Sequence, residues 1–135
     1  MGRAGEARPF SVQSAMLIRR MASDPFNLQR FVDAQGGGVY EQALSEIKAG
    51  EKRSHWMWFI FPQSAELGRS ATAKHYGLSG EEEARAYLAH PVLGDRYRAC
   101  VAAVRAQVDA GRSLEAIFGA LDARKLGSSV ALILS

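Results

Sequence analysis

Two cations, a hydroxyl and an imidazole stand in a row at Lys52-Arg53-Ser54-His55, and Trp56 and Trp58 follow at once. Paired cations grip phosphate or carboxylate oxygens. An indole face stacks a flat ring. The combination suits a small anionic or nucleotide-like ligand. His55 is the candidate for acid–base work there. Ser54 and His55 cannot serve each other as nucleophile and base, because sequence neighbours diverge on a helix and on a strand. The plainer reading makes the cations a solvated collar and the indoles core.

Three other groups invite chemistry. Lys125, Ser128 and Ser129 stand at i, i+3 and i+4, so on a helix they share a face that could hold an oxyanion or activate a serine. The same spacing also fits a polar stripe opposite Leu126 and Val130. Gly68-Arg69-Ser70 reads as an anion loop, without a phosphate-loop signature. His55, His75, His90 and Cys100 have no metal-ligand spacing, so neither a metal nor a cofactor is expected. His90 precedes Pro91 and reads as a turn or capping residue. Glu81, Glu82 and Glu83 suit the dipole of a helix start.

These residues need elements to position them. From Trp56 to Pro62 every residue is apolar or aromatic. The run is far short of the ~20 residues that span a membrane, and it has no polar alternation. It is expected to be a helix buried on every side. Before it, Asp24-Pro25 reads as an N-cap acid and first-turn proline, opening a helix with Leu28, Phe31 and Val32 on one face. Gly36-Gly37-Gly38 ends that helix. Tyr40, Ala43, Leu44 and Ile47 stripe the next, which Gly50 closes.

After Pro62, residues 63–72 read as a loop over the core, then a short turn of helix closed by Gly77. Ser79 and Glu82 are spaced as a capping box for a helix burying Ala84, Tyr87 and Leu88. His90-Pro91 breaks it. Leu93, Tyr97, Cys100, Val104 and Val108 trace the longest helix. Ser113 caps a short one, and a last helix carries Leu126, Val130, Ile133 and Leu134. The expected fold is all-α, one bundle of about six helices around a central aromatic-rich helix.

Length and charge set limits. The chain has 135 residues, a net charge of +3 and one cysteine. That length makes one domain with a sizeable core. The charge is too mild and dispersed to argue for nucleic acid. No segment is long enough for a transmembrane helix, so no membrane association is expected. A lone cysteine excludes an internal disulfide and fits a cytoplasmic setting. Residues 1–23 lack steady periodicity and are expected to be a disordered extension, with the helical domain over 24–135. Val130 to Leu134 is apolar to the end of the chain, which suggests a missing helix beyond Ser135 or self-association through that face.

From Asp24 onward the chain resembles a known family. The segments Asp24 to Phe31, Lys52 to Gln63, Glu83 to Leu88 with His90-Pro91-Val92-Leu93-Gly94, and Ile117-Phe118-Gly119 with Lys125-Leu126 and Ser128-Ser129 are similar to the bacterial family catalogued as domain of unknown function 1810. The resemblance covers nearly all of 24–134 and implies an all-α bundle with a central helix. Members are sometimes labelled calpastatin-like, and nothing in these residues supports a protease inhibitor. The pattern commonly has a basic residue where this chain has Gly127, and usually continues with a further helix.

Lys52, Arg53, Ser54, His55, Gln63, His90, Lys125, Ser128 and Ser129 all fall in the resembling segments. With Trp56 and Trp58 as stacking walls they make one expected site, a pocket for a small anionic ligand, hydrolytic if His55 acts. The alternative is a non-catalytic helical interaction module.

Overall fold

Residues 24–134 are described in a computed structural model. The 1–23 extension expected from sequence lies outside them. Eight α-helices follow one another, and the described residues contain no strand beyond one isolated parallel bridge between Ser64 and Leu78. The fold is all-α, as expected, but with eight helices in place of six. Four of the eight are short: α1 (Gln29–Ala34), α3 (Met57–Ile60), α4 (Ala71–His75) and α7 (Leu114–Phe118). Longer helices are α2 (Val39–Lys48), α5 (Glu81–Ala89), α6 (Leu93–Asp109) and α8 (Ala120–Ile133), with a 3-10 turn at Ala65–Leu67.

Local signals account for most boundaries. Ser113 accepts the Ala116 amide at 3.0 Å and starts α7. Gly50, at φ 79°, and Gly111, at φ 101°, supply the left-handed residue that follows α2 and α6. Two boundaries differ from the sequence expectation. Asp24 does not sit at the helix start. Its carboxylate reaches forward across a turn to the Leu28 and Gln29 amides, at 2.7 and 3.1 Å, and α1 begins only at Gln29. The capping box shifts by one as well. Gly80 is the N-cap of α5, and Glu83, not Glu82, reaches back to the Ser79 amide at 2.8 Å.

The aromatic run is a single turn of helix, not a rod enclosed on all sides. Trp56, Met57, Ile60, Phe61 and Pro62 are buried, while Trp58 and Phe59 are half-buried. Phe61 leaves helical geometry at φ −126°, ψ 73°, because Pro62 disfavours the helical region for the residue before it. The core nonetheless assembles on this turn. Trp56 meets Phe118 edge-on at 6.2 Å, Phe61 meets Tyr97 at 5.7 Å, and Tyr97 leads to Tyr87 and on to Phe31. Such edge-to-face pairs stabilise by about 0.5–1.5 kcal/mol beyond their burial. Around them α2 packs on α6, α5 on α6 and α8, and α7 on α8.

The apolar 130–134 stretch is covered on one side only. Ile133 is buried, Val130 and Leu132 pack half-buried against the core, and Leu134 is exposed.

Candidate functional site

The segment between α2 and α3 is built on one carboxylate. Glu46 lies on the buried face of α2 with Ala43 and Ile47 and is only 9% exposed. It accepts from the Arg53 amide at 2.7 Å, the Ser54 amide at 3.0 Å and the Ser54 hydroxyl at 2.6 Å. The Trp56 indole donates to it at 2.9 Å and the Gln42 amide at 3.1 Å. Burial alone would raise its pKa. The hydrogen bonds from the Ser54 hydroxyl, the Arg53 amide, the Trp56 indole and the Ser54 amide outweigh burial and hold it at about 2.

Glu46 thereby decides what the predicted cluster presents. Ser54 spends its proton on Glu46. The Arg53 side chain turns outward to Glu51 at 3.0 Å. Lys52 folds inward, donates to the Ser54 carbonyl at 2.7 Å, lies 5.0 Å from the Trp56 ring centroid and pairs with Asp122 at 3.1 Å. Trp56 is 1% exposed, so its ring is core and not a stacking wall for a ligand. His55 is exposed, with its ring centroid 6.5 Å from that of Trp58.

A cleft of about 450 Å³ opens beside this segment. Trp58, Gln63, Ser64 and Tyr76 line it, with Leu67 to Ser70 along one rim and Leu121 and Lys125 of α8 along another. Of the residues expected from sequence, the cleft gathers Trp58, Gln63 and Lys125. It also gathers Arg69 and Ser70, the loop read as an anion site on its own. Lys125 lies 3.5 Å from Asp122, so that one carboxylate is shared between Lys52 and Lys125. Arg69 is exposed and has no ion-pair partner among the described residues. Ser64 and Ser70 each accept a backbone amide, from Glu66 at 3.3 Å and Ala73 at 3.0 Å. A hydroxyl that accepts in this way keeps its own proton to donate.

Two long-range contacts shape the cleft. The Leu78 amide donates to the Gln63 carbonyl at 2.7 Å, and the Ala65 amide to the Leu78 carbonyl at 2.8 Å. Gly77 permits this approach, because a Cβ there would stand 2.4 Å from the Ala65 Cα. Arg30 then fastens the segment 65–76, a strap along the cleft, from behind. It donates to the carbonyls of His75 at 2.8 Å and Gly77 at 3.1 Å, and pairs with the buried Glu83 at 2.8 Å.

The remaining predicted residues stand elsewhere. His90 lines a different groove, with Asp24, Phe26 and Pro91. Its Nδ1 accepts the Val92 and Leu93 amides at 3.1 and 3.2 Å, which caps the start of α6. Burial of the ring lowers its pKa, against a smaller opposing pull from Asp24. Ser129 is fully buried and shares a hydrogen bond of 2.9 Å with the Tyr97 hydroxyl. Ser128 is exposed, so the three residues of the α8 motif do not converge. Among the described residues, no group of three or more His, Cys, Asp or Glu side chains could hold a metal ion. No helix of the described residues is long and apolar enough to cross a membrane.

Sequence reasoning missed Glu46, Asp122, Tyr76 and Arg30. Glu46 left a trace: an acid three residues after Ala43 and one before Ile47 falls on the apolar face, where a charge needs partners. Asp122 left a weaker one, at i−3 from Lys125.

Fold and site together define an all-α protein with a cationic, aromatic-walled cleft between its central aromatic turn and its C-terminal helix. The chain belongs to the family described as Protein of unknown function (DUF1810), which it matches over residues 25–135. This bears out the resemblance carried by the sequence motifs. Among solved structures it is similar to the conserved hypothetical protein Rv1873 from Mycobacterium tuberculosis. The identity is 52% and the TM-score 0.77, over 82% of this chain and 77% of that one. No curated protein matches it.

Proposed function

We propose that the protein binds a small anionic, ring-bearing molecule, of which a nucleotide is the type, in the cleft between Trp58 and Lys125. The observation that carries the reading is the meeting of Arg69 and Lys125 with Trp58, Tyr76, Gln63 and Ser64 around one cleft. Arg69 and Lys125 attract the anion, while the hydroxyls of Ser64 and Ser70 have protons to give it. Trp58 and Tyr76 offer the ring faces. The volume lies within the ~300–1,000 Å³ usual for small-molecule sites. No acidic side chain is among the lining residues.

Binding is favoured over hydrolysis. The Ser54 hydroxyl is committed to Glu46 and Ser129 is buried against Tyr97. A hydrolytic role would fall to His55, which stands beside Trp58 and not among the lining residues. The lone buried cysteine, Cys100, suits the cytoplasmic setting in which such ligands are found.

One observation favours a second reading, an interaction module. Leu67 and Leu121, at 58% and 61% exposure, both stand at the cleft. A thermal-shift screen with nucleotides and sugar phosphates separates the two, since a ligand of the native state raises the melting temperature. The binding reading expects a stabilising ligand whose effect is lost in Arg69→Ala and Lys125→Ala. No stabilisation, with an oligomer that dissociates on dilution, would replace it by the interaction reading.

A further inference from the structure

We infer that the cleft is matched to one phosphomonoester dianion attached to a planar ring, and not to a polyphosphate or a monoanion. This rests on the binding reading above and narrows it by counting charge. Three cations bear on the cleft: Arg69 and Lys125 in its lining, and Lys52 behind the wall. One anion opposes them. Asp122 lies 3.1 Å from Lys52 and 3.5 Å from Lys125, so it neutralises one charge for the pair. Two positive charges are left over, one from Arg69 and one from the two lysines together.

The surroundings do not alter this count. The other polar lining residues, Gln63, Ser64, Ser70 and Tyr76, carry no charge. Glu46 is saturated by backbone, hydroxyl and indole donors, and Glu83 by Arg30 and the Ser79 amide, while the exposed Glu66 and Lys74, each next to a lining residue, carry opposite charges and leave the count at two. A carboxylate or phosphodiester would leave one cation unmatched. A triphosphate would bring charges with no partner in the cleft, and polar volume against Leu67 and Leu121. A phosphomonoester above its second pKa of about 6 carries close to two charges. Its ring would lie against Trp58 or Tyr76, and the two leucines would cover the edges of the ring.

The test is calorimetric titration of the full chain with adenosine 5′-monophosphate, its methyl phosphodiester and adenosine 5′-triphosphate, at pH 5 and pH 7.5. The inference expects the monophosphate to bind at pH 7.5 and to weaken about tenfold at pH 5, where about one molecule in ten is a dianion. The methyl phosphodiester does not titrate in this range. It should bind weakly and equally at both pH values, which separates titration of the ligand from titration of the protein. The triphosphate should bind no more tightly than the monophosphate. In Asp122→Asn, which leaves three unopposed cations, the triphosphate should gain on the monophosphate. In Arg69→Ala, an exposed site whose loss leaves the packing intact, the monophosphate should lose its advantage over the phosphodiester.

Equal binding of monophosphate and phosphodiester at both pH values would overturn the inference and leave the binding reading in place. Tighter binding of the triphosphate by the unaltered protein would do the same. Binding of none of the three would overturn both.

Discussion

Glu46 is the residue on which the 51–56 segment turns. Five donors converge on its two oxygens, and four of them belong to residues that the sequence marks as a ligand cluster. Folding therefore depends on its ionisation. A carboxyl held at about 2, against an ordinary value of 4.5, lies below its unfolded value. Its contribution is present above pH 4.5 and is lost as pH falls toward 2. The shift corresponds to about 3 kcal/mol at neutral pH. Urea unfolding should find Glu46→Gln less stable by about that amount at pH 7, with the gap to the unaltered protein closing between pH 4.5 and 2. A pH-independent gap would mean that shape and not charge is what the Trp56 indole and the Ser54 amide require.

At the scale of elements, what was legible was what is local. Ser113 and the glycines after α2 and α6 act within a few residues, and they mark helix ends in sequence as they do in the fold. The stripes of α2, α5 and α6 were legible because burial on one face leaves a helical period. Less legible were features that distant contacts decide. The aromatic run looked like a fully buried helix, yet Trp58 opens to a cleft, because the wall beside it comes from α8 and the 65–76 strap. The triple acid at the start of α5 looked like a response to the helix dipole, yet Glu83 is buried against Arg30, 53 residues earlier. That pair fixes the strap carrying Tyr76. Breaking a buried pair strands the surviving charge, at a cost of about 3–5 kcal/mol. Arg30→Met should lower stability on that scale, and Arg30→Met with Glu83→Gln should cost clearly less than the two changes summed. Additive costs in chemical denaturation would show that Arg30 acts through its bonds to the Phe26, Asn27, His75 and Gly77 carbonyls and not through Glu83.

For the whole molecule, the all-α architecture could be read from the chain, and the kinds of residue at the site could be read in part. Trp58, Gln63 and Lys125 belong to recognisable motifs, and Arg69 to a loop suspected by itself. Their convergence was not legible, because residues 58 and 125 meet only through packing of α8 beside the central turn. Neither was the diversion of Ser54, Trp56 and Ser129 into internal hydrogen bonds, which depends on Glu46 and Tyr97 approaching from other helices. The end of the chain shows the same limit. An apolar 130–134 stretch suggests an open face in sequence, while α8 packs Ile133 into the core and leaves Leu134 exposed.

Trp58 gives the most direct view of the cleft, since Trp56, the other indole, is buried. Indole fluorescence should be followed as adenosine 5′-monophosphate is added to the unaltered protein and to Trp58→Phe. A saturable change in emission is expected in the first and none in the second. A saturable change that survives in Trp58→Phe would put the ligand elsewhere, and a flat response in both, with no binding heat, would contradict the cleft as a ligand site.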